Sequence, residues 1–248
     1  MTTETVDVED ISSAKAAGRA IREHGPYQVD IGDKDLSFQS RIIADPIVTG
    51  AQLLDLVGAV PPHEHQVFQI LTSGALEGLR MEEACDLRQS GAERFIVFRS
   101  DRAFRLELNG RVLDWGTDHI TGATLKKLAR MDAEATEVWL DYAGGEDRVV
   151  GDDEAVTLQG TGVERFVTKL LRITIIVNAR PKEVFKRQLT FLEVVQLAHA
   201  GAQEQGNTVY TVTYLGGPPQ NPEGTLVEGQ SVWVKNGMRF NVTATDKS

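Results

Sequence analysis

The 248-residue sequence contains a single cysteine, Cys85, and this scarcity excludes two kinds of protein. One cysteine cannot form an intramolecular disulfide framework, and it cannot supply a metal site built from several cysteine ligands. Basic residues are also scarce, because 26 Lys and Arg stand against 36 Asp and Glu, for a net charge of −10. Nucleic acids and anionic membrane surfaces are bound through clustered Lys and Arg. The composition therefore argues against both as partners.

Long hydrophobic runs are absent too. No apolar stretch of the sequence approaches the roughly 20 residues of a transmembrane helix. The first ten residues, MTTETVDVED, have neither the basic segment nor the apolar segment of a secretory signal. These features predict a cytoplasmic protein.

The sequence does contain a short motif, called the repeated phrase below, that occurs three times. It reads GAERFIVF at 91–98, GVERFVTK at 162–169 and, more faintly, GMRFNVTA at 237–244. The arginines of the three copies, Arg94, Arg165 and Arg239, are 71 and 74 residues apart. A period of about 70 residues is too long for most solenoid repeats and suits a small domain that folds by itself.

A second repeated feature predicts a helix in each copy. Thr49, Thr121 and Thr190 are each preceded by one apolar residue and followed four positions later by another. This arrangement is typical of a helix N-cap with a hydrophobic staple. Apolar residues at the fourth, seventh and eighth positions then form one stripe, which predicts helices of roughly ten residues that pack on a core.

Strand-like segments surround each predicted helix. Two alternating segments precede it, joined in the second copy by Asn109-Gly110, a strong hairpin signal. A third strand follows the helix, and after a loop the repeated phrase forms the last strand. Period-two alternation then points Phe95, Phe166 and Phe240 into the core and the neighbouring arginines to the opposite face. The glycine that opens each phrase is expected to adopt a turn conformation that other residues resist.

The order hairpin, helix, strand, loop and strand, repeated three times, resembles the multiubiquitin family, bacterial proteins with tandem ubiquitin-like domains. The resemblance rests on the lead-in VEDISSAKAAGRAI, the opening YQVDIGDKD, the VTG, ITG and LTF helix starts, and the ERF, ERF and MRF final strands. It implies an α+β fold of three tandem ubiquitin-like β-grasp domains. The predicted boundaries are 26–101, 102–171 and 172–248, the last with a short C-terminal tail.

The first 25 residues lie outside the three repeats. They are predicted to form an N-terminal arm that is either disordered or a short helix running from Ser12 or Ser13 to about His24.

The resemblance also implies a function. The family is associated with an activating enzyme, a conjugating enzyme and a metal-dependent deubiquitinase-like peptidase, so the chain is expected to be a protein modifier that acts through its C-terminal carboxylate. The alternative is a non-covalent scaffold that assembles into a homo-oligomer or filament and recruits the pathway's enzymes. Open, heterologous contacts between similar domains would suit such an assembly.

The candidate site residues follow from these two hypotheses. Conjugation would use Ser248 or a trimmed end within Thr243–Ser248, although no Gly occurs after Val242. Partner-binding sheet faces would carry Arg94, Arg165 and Arg239. The short junctions 99–102 and 169–171 disfavour cutting into single modifiers and favour a fixed arrangement of the domains.

No residue pattern indicates catalysis or a cofactor. The HEH triplet at 63–65 lacks the third and fourth ligands that zinc requires. The diglycines at 144–145 and 216–217 fall inside predicted surface loops, and Cys85 has no nearby histidine in sequence. The sequence therefore predicts a protein that is not an enzyme and has no cofactor, metal site or catalytic residue.

Overall fold

A computed structural model of the chain describes residues 7–89, 93–142, 145–159, 162–203 and 208–246. The chain divides into two compact units. The first unit comprises residues 1–131 and 138–168, and the second comprises residues 132–137 and 169–248. No helix in the described ranges is long and apolar enough to cross a membrane.

The three helices that the threonines predict are all present. They are α2 (Gly50–Leu56), α3 (Gly122–Ala129) and α4 (Phe191–Ala198). The hydroxyl of each preceding threonine accepts a hydrogen bond from the backbone N–H three residues on. Gln52 and Glu193 complete capping boxes by accepting the backbone N–H of the threonine, whereas the shorter Thr124 bonds only the hydroxyl of Thr121. The helix starts were therefore predicted correctly.

Seven strands besides the arm lie in the described residues of the first repeat. They are β2 (Tyr27–Gly32), β3 (Phe38–Ile43), β4 (Ile47–Thr49), β5 (His65–Ile70), β6 (Leu76–Leu79), β7 (Ala84–Asp86) and β8 (Arg94–Arg99). The main sheet has the order β3-β2-β8-β5-β6, and β8 runs parallel to β2. The short strands β4 and β7 form a separate pair, and a 3₁₀ turn spans Pro62–Glu64.

The second repeat has the same plan. Its strands are β9 (Phe104–Leu108), β10 (Arg111–Trp115), β11 (His119–Thr121), β12 (Thr136–Asp141), β13 (Arg148–Val150), β14 (Ala155–Thr157) and β15 (Glu164–Leu170). The sheet order is β10-β9-β15-β12-β13, with β11 and β14 paired separately. Asn109 and Gly110 have φ values of 52° and 79°, so the predicted hairpin turn is confirmed.

The third repeat follows it strand for strand. Its strands are β16 (Ile173–Val177), β17 (Arg180–Val184), β18 (Gln188–Thr190), β19 (Thr208–Leu215), β20 (Glu223–Leu226), β21 (Ser231–Trp233) and β22 (Arg239–Asp246). The sheet order is β17-β16-β22-β19-β20, and β18 pairs with β21. The second strand of this hairpin begins at Arg180, directly after the turn at Asn178-Ala179.

The three phenylalanines of the repeated phrase are buried as predicted. Phe95, Phe166 and Phe240 are only 0%, 1% and 3% exposed, each in the core of its own repeat. The prediction for the glycines is less accurate. Gly237 has a φ of 79°, but Gly162 does not adopt the left-handed conformation, and Gly91 lies outside the described residues.

The N-terminal arm is part of the first domain. Residues Glu9–Asp10 form a short strand, β1, which runs parallel to β2 on the edge that β8 also occupies. The helix α1 spans Ile11–Ala16, with Asp10 as its N-cap, and Ile11 is fully buried in the domain's core. The helix thus starts earlier than Ser12 and ends well before His24, since Asp10 caps it and Gly18 turns the chain at a φ of 64°.

The first two domains share one hydrophobic core, which is separate from the first domain's own core around Phe95. Ile96 and Phe98 lie on the face of β8 opposite Phe95, and both are buried among residues of the second domain. The rings of Phe98 and Trp115 meet edge to face with their centroids 4.7 Å apart. Two hydrogen bonds to carbonyl oxygens add to this contact: Arg111 Nη1 to Ser73 at 2.6 Å and Lys127 Nζ to Asp35 at 2.7 Å. For these two domains the predicted fixed arrangement is therefore present.

A glycine at this contact gives a direct test of its tightness. A Cβ atom added at Gly116 would overlap the ring of Phe98. We expect Gly116→Ala to lower the free energy of unfolding of the first unit by about 1–3 kcal/mol, the usual cost of overpacking. Urea unfolding followed by the fluorescence of Trp115 measures this change.

The matched control is Gly162→Ala. Gly162 does not adopt the left-handed conformation and has no atom within 4 Å of an added Cβ. This substitution should change stability by less than about 0.5 kcal/mol. In the double variant Gly116→Ala/Phe98→Ala the two losses should be less than additive, because the clash is then absent. Equal effects of the two alanine substitutions would show that the domains are not in close contact at Gly116.

Candidate functional site

The C-terminal segment predicted for conjugation continues the central strand of the third domain. On one side of β22, Arg239 and Phe240 pair with Ile176 and Val177 of β16. On the other side the pairing with β19 runs the whole length of both strands, from Leu215 opposite Arg239 to Thr208 opposite Asp246. The candidate Ser248 and its neighbour Lys247 lie outside the described residues.

The segment after Val242 is thus more ordered than a tail. Thr243, Ala244 and Thr245 belong to β22, although their side chains are exposed. These residues stay paired because β19 is eight residues long and reaches opposite the end of β22. The candidate range Thr243–Ser248 therefore begins within a paired strand.

An asparagine side chain binds β22 just beyond the point where its pairing with β16 ends. Asn178, in the turn after β16, accepts the backbone N–H of Val242 through Oδ1 at 2.8 Å. Its Nδ2 donates to the carbonyl oxygen of the same residue at 2.9 Å. In the described part of the chain, the strand pairing of Thr243–Asp246 is with β19 alone.

The second domain repeats this contact. Asn109 accepts the backbone N–H of Thr168 through Oδ1 at 2.8 Å, and its Nδ2 bonds the Thr168 hydroxyl at 2.9 Å. Thr168 and Val242 both stand two residues after the core phenylalanine of their strand. In both domains the strand continues past the asparagine contact, to Leu170 in β15 and to Asp246 in β22.

The three arginine positions lie in different surroundings. The Arg94 guanidinium stacks on the Phe38 ring with 4.0 Å between its carbon and the ring centroid. It borders a cavity of about 140 Å³ together with Leu128 and Arg130 of the second domain. In the first repeat, the partner of this sheet face is therefore the second domain of the same chain.

The other two arginines are solvent-exposed. Arg165 is 58% exposed and approaches the Glu107 carboxylate at 3.5 Å. Arg239 is exposed, and its side chain makes no hydrogen bond or ion pair within the described ranges. Partner binding through these two faces stays a prediction.

Sequence reasoning missed that the second domain covers the face of β8 opposite Phe95. The signal was present in the phrase RFIVF, where Ile96 and Phe98 are large and apolar on the face opposite Phe95. The equivalent residues are Val167 and Lys169 in the second domain and Asn241 and Thr243 in the third. Only the first copy thus has large apolar side chains on both faces of its last strand.

The cysteine, glutamate and histidine considered as reactive or metal-binding groups are buried or bonded to neighbouring residues. Burial, followed by the charges of Asp86 and Glu77, raises the pKa of the Cys85 thiol to about 11, so little thiolate forms at neutral pH. Glu64 pairs with Arg99 at 3.0 Å, and His65 Nδ1 lies 2.9 Å from the Pro61 carbonyl oxygen. Across the described residues, no group of three or more His, Cys, Asp or Glu is placed to hold a metal ion.

The diglycine loops are not chain ends. Gly216, with a φ of 72°, and Gly217 lie in the connection between β19 and β20, where the Gly217 N–H donates to the Pro222 carbonyl at 2.8 Å. Gly145 lies in the connection between β12 and β13, and Gly144 is outside the described residues.

The comparison with protein families agrees with this architecture. The family model described as multiubiquitin matches three successive segments, residues 35–100, 104–170 and 173–246. No curated protein matches the chain. The family match and the threefold strand order together confirm the α+β fold of three tandem ubiquitin-like β-grasp domains.

Proposed function

Because the chain belongs to the multiubiquitin family, we propose that it is a tandem protein modifier of a bacterial ubiquitin-like conjugation pathway. The reactive group would be a C-terminal carboxylate, at Ser248 or at a trimmed end within Thr243–Ser248. The family is one of ubiquitin-like domains rather than of catalysts, which supports a protein that is acted upon and is not itself an enzyme.

The observation that carries the proposal is the position of β22. This strand lies in the centre of the third domain's sheet, and its side chains become exposed after Val242. The residues that follow Val242 can therefore reach another protein without removing the core residues Phe240 and Val242 from the sheet. The shared core of the first two domains also supports transfer of the chain as one piece, because a cut at their junction would expose Ile96 and Phe98.

The chemistry assigns the remaining steps to partner proteins. A carboxylate does not acylate an amine at neutral pH, because its oxygen is a poor leaving group. An activating enzyme would join the carboxylate to the AMP part of ATP as an acyl adenylate, a mixed anhydride, and release pyrophosphate. A cysteine thiolate would then displace AMP to form a thioester, which the conjugating enzyme would carry until a target amine attacks it and releases the thiol. A metal-dependent deubiquitinase-like peptidase would trim or release the modifier. We propose that the pathway operates in the cytoplasm, where ATP is supplied, and that the chain itself uses no nucleic acid, membrane or cofactor.

The alternative function is a self-assembling, filament-like scaffold for the same enzymes. In the contact of the first two domains, the sheet face of one domain packs against Trp115 on a strand of the other domain and against Leu128 near the end of its helix. The exposed faces of Arg165 and Arg239 are available for a comparable contact. However, Asn241 and Thr243 replace the apolar Ile96 and Phe98 in the third domain, so this contact would bury little apolar surface. Light scattering across a wide concentration range tests the alternative, which a strict monomer at high concentration would argue against.

The modifier proposal predicts an ATP-dependent covalent adduct. The full chain, incubated with activating and conjugating enzymes of such a pathway, ATP and a candidate target, should give a product whose mass is the sum of the two proteins less one water. Its linkage peptide should contain a residue of the 243–248 segment. A variant lacking residues 244–248 shows whether the terminus must extend past Thr243. If neither version gives an adduct with enzymes that are demonstrably active, the scaffold becomes the better explanation.

A further inference from the structure

We propose that Asn178 is a clamp that fixes the end of the third domain at Val242, and that residues 243–246 separate from β19 to form the free tail that an activating enzyme requires. This inference rests on the proposed function and adds to it the way in which the terminus becomes accessible.

The first argument is the change in pairing at Val242. Up to this residue, β22 is held on both sides, by β16 or the Asn178 side chain and by β19. From Thr243 to Asp246 the described strand pairing is with β19 alone. A strand held on one side has about half the backbone hydrogen bonds to break, so this segment is the easiest part of β22 to open.

The second argument is side-chain burial. Phe240 and Val242 are each 3% exposed, whereas Thr243, Ala244 and Thr245 are all exposed. Separating Thr243, Ala244 and Thr245 from β19 therefore removes none of their side chains from the core. Continuing past Val242 would expose two large apolar side chains, so opening should stop at the clamp.

The third argument comes from the second domain. Asn109 makes the same backbone contact with Thr168, and the first compact unit ends at that residue. The turn residues Asn109 and Asn178 also share the left-handed backbone conformation, with φ values of 52° and 48°. In both copies the parallel pairing of the last strand ends at the core phenylalanine, and the asparagine binds the strand two residues further on.

Hydrogen exchange of the isolated protein tests the clamp without any enzyme. Because the Val242 N–H points to Asn178, alternation directs the N–H groups of Thr243 and Thr245 toward β19. We expect these two amides to exchange at least about a hundredfold faster than the Val242 amide. Equal protection of Val242, Thr243 and Thr245 would overturn the proposal.

Asn178→Gly removes the clamp while keeping a residue that tolerates the backbone conformation. It should raise the exchange rate of the Val242 amide at least about tenfold and leave the first unit unchanged. Asn109→Gly is the matched control, because it removes the equivalent contact at Thr168 and should not affect Val242. An unchanged Val242 rate in Asn178→Gly would show that the asparagine is not the clamp.

A reversible lock connects the opening to conjugation. Val209 and Thr245 are directly opposite and exposed, so Val209→Cys/Thr245→Cys suits a disulfide across the two strands. The oxidised form should lose at least about 90% of adduct formation, and reduction should restore it; Cys85 is buried and does not interfere. If the oxidised form gives as much adduct as the wild type, residues 243–246 need not separate from β19, and the modifier proposal stands.

If the wild-type chain gives no adduct, the modifier proposal is wrong. Hydrogen exchange of the Val242 amide then still tests whether Asn178 is the clamp.

Discussion

Phe166→Ala should lower the free energy of unfolding of the second domain by about 3–5 kcal/mol, the usual loss when a buried phenylalanine is truncated. Phe166 is 1% exposed and lies in the core that the first two domains share. The first domain should therefore lose stability in the same transition. Trp115 and Trp139 both lie in the second domain, so their fluorescence during urea unfolding reports on it once Trp233 is replaced by Phe.

The control for this substitution is Val167→Ala on the same strand. Val167 is 37% exposed and points to the face opposite Phe166. Its truncation should cost no more than about 1 kcal/mol, the span of strand propensities. A similar cost for the two variants would mean that the repeated phenylalanine does not anchor the core.

Removing two arginines from the N-terminal arm should cost nearly as much. Glu9 is 1% exposed, and its carboxylate pairs with Arg19 at 2.8 Å and with Arg22 at 2.9 Å. The double variant Arg19→Ala/Arg22→Ala would leave a buried, unpaired charge. We expect it to lower the stability of the first unit by about 3–5 kcal/mol, as measured by urea unfolding at pH 7.

A third substitution shows whether charge is the cause. Adding Glu9→Gln to the double variant removes the unpaired charge and should recover most of the lost stability. A loss that persists unchanged when Glu9→Gln is added would show that the arginines act through packing instead.

Much of the fold could be predicted from the sequence because its main signals are local. The threonine caps and the apolar stripe involve neighbours within one or two helical turns, so Thr49, Thr121 and Thr190 were sufficient to place three helices. The alternation around Phe95, Phe166 and Phe240 likewise needs only one strand. The short strand pairs, such as β4 with β7, have three residues each and therefore no periodic signal to read.

The features that sequence reasoning missed depend on distant partners. Asp10 caps α1, but preferring it over Ser12 or Ser13 requires knowing that Glu9–Asp10 pairs with β2. The outward-facing Ile96 and Phe98 are explained only by the second domain that covers them. The length of β22 depends on the eight residues of β19, which lies some 30 positions earlier in the chain. For the candidate site, the C-terminal segment 243–248 could be proposed from the sequence. Its pairing with β19 could not, because that depends on a distant strand.

The shared core of the first two domains also has a consequence for synthesis on the ribosome. Phe98 emerges 30 residues before Leu128, which belongs to the surface that covers it. At typical bacterial and eukaryotic elongation rates, this delay is roughly 2–6 s. During that interval the nascent first domain presents Phe68, Ile96 and Phe98 to the cell as an uncovered aromatic surface. The chain thus passes through a stage in which a chaperone has a binding site that the finished protein no longer displays.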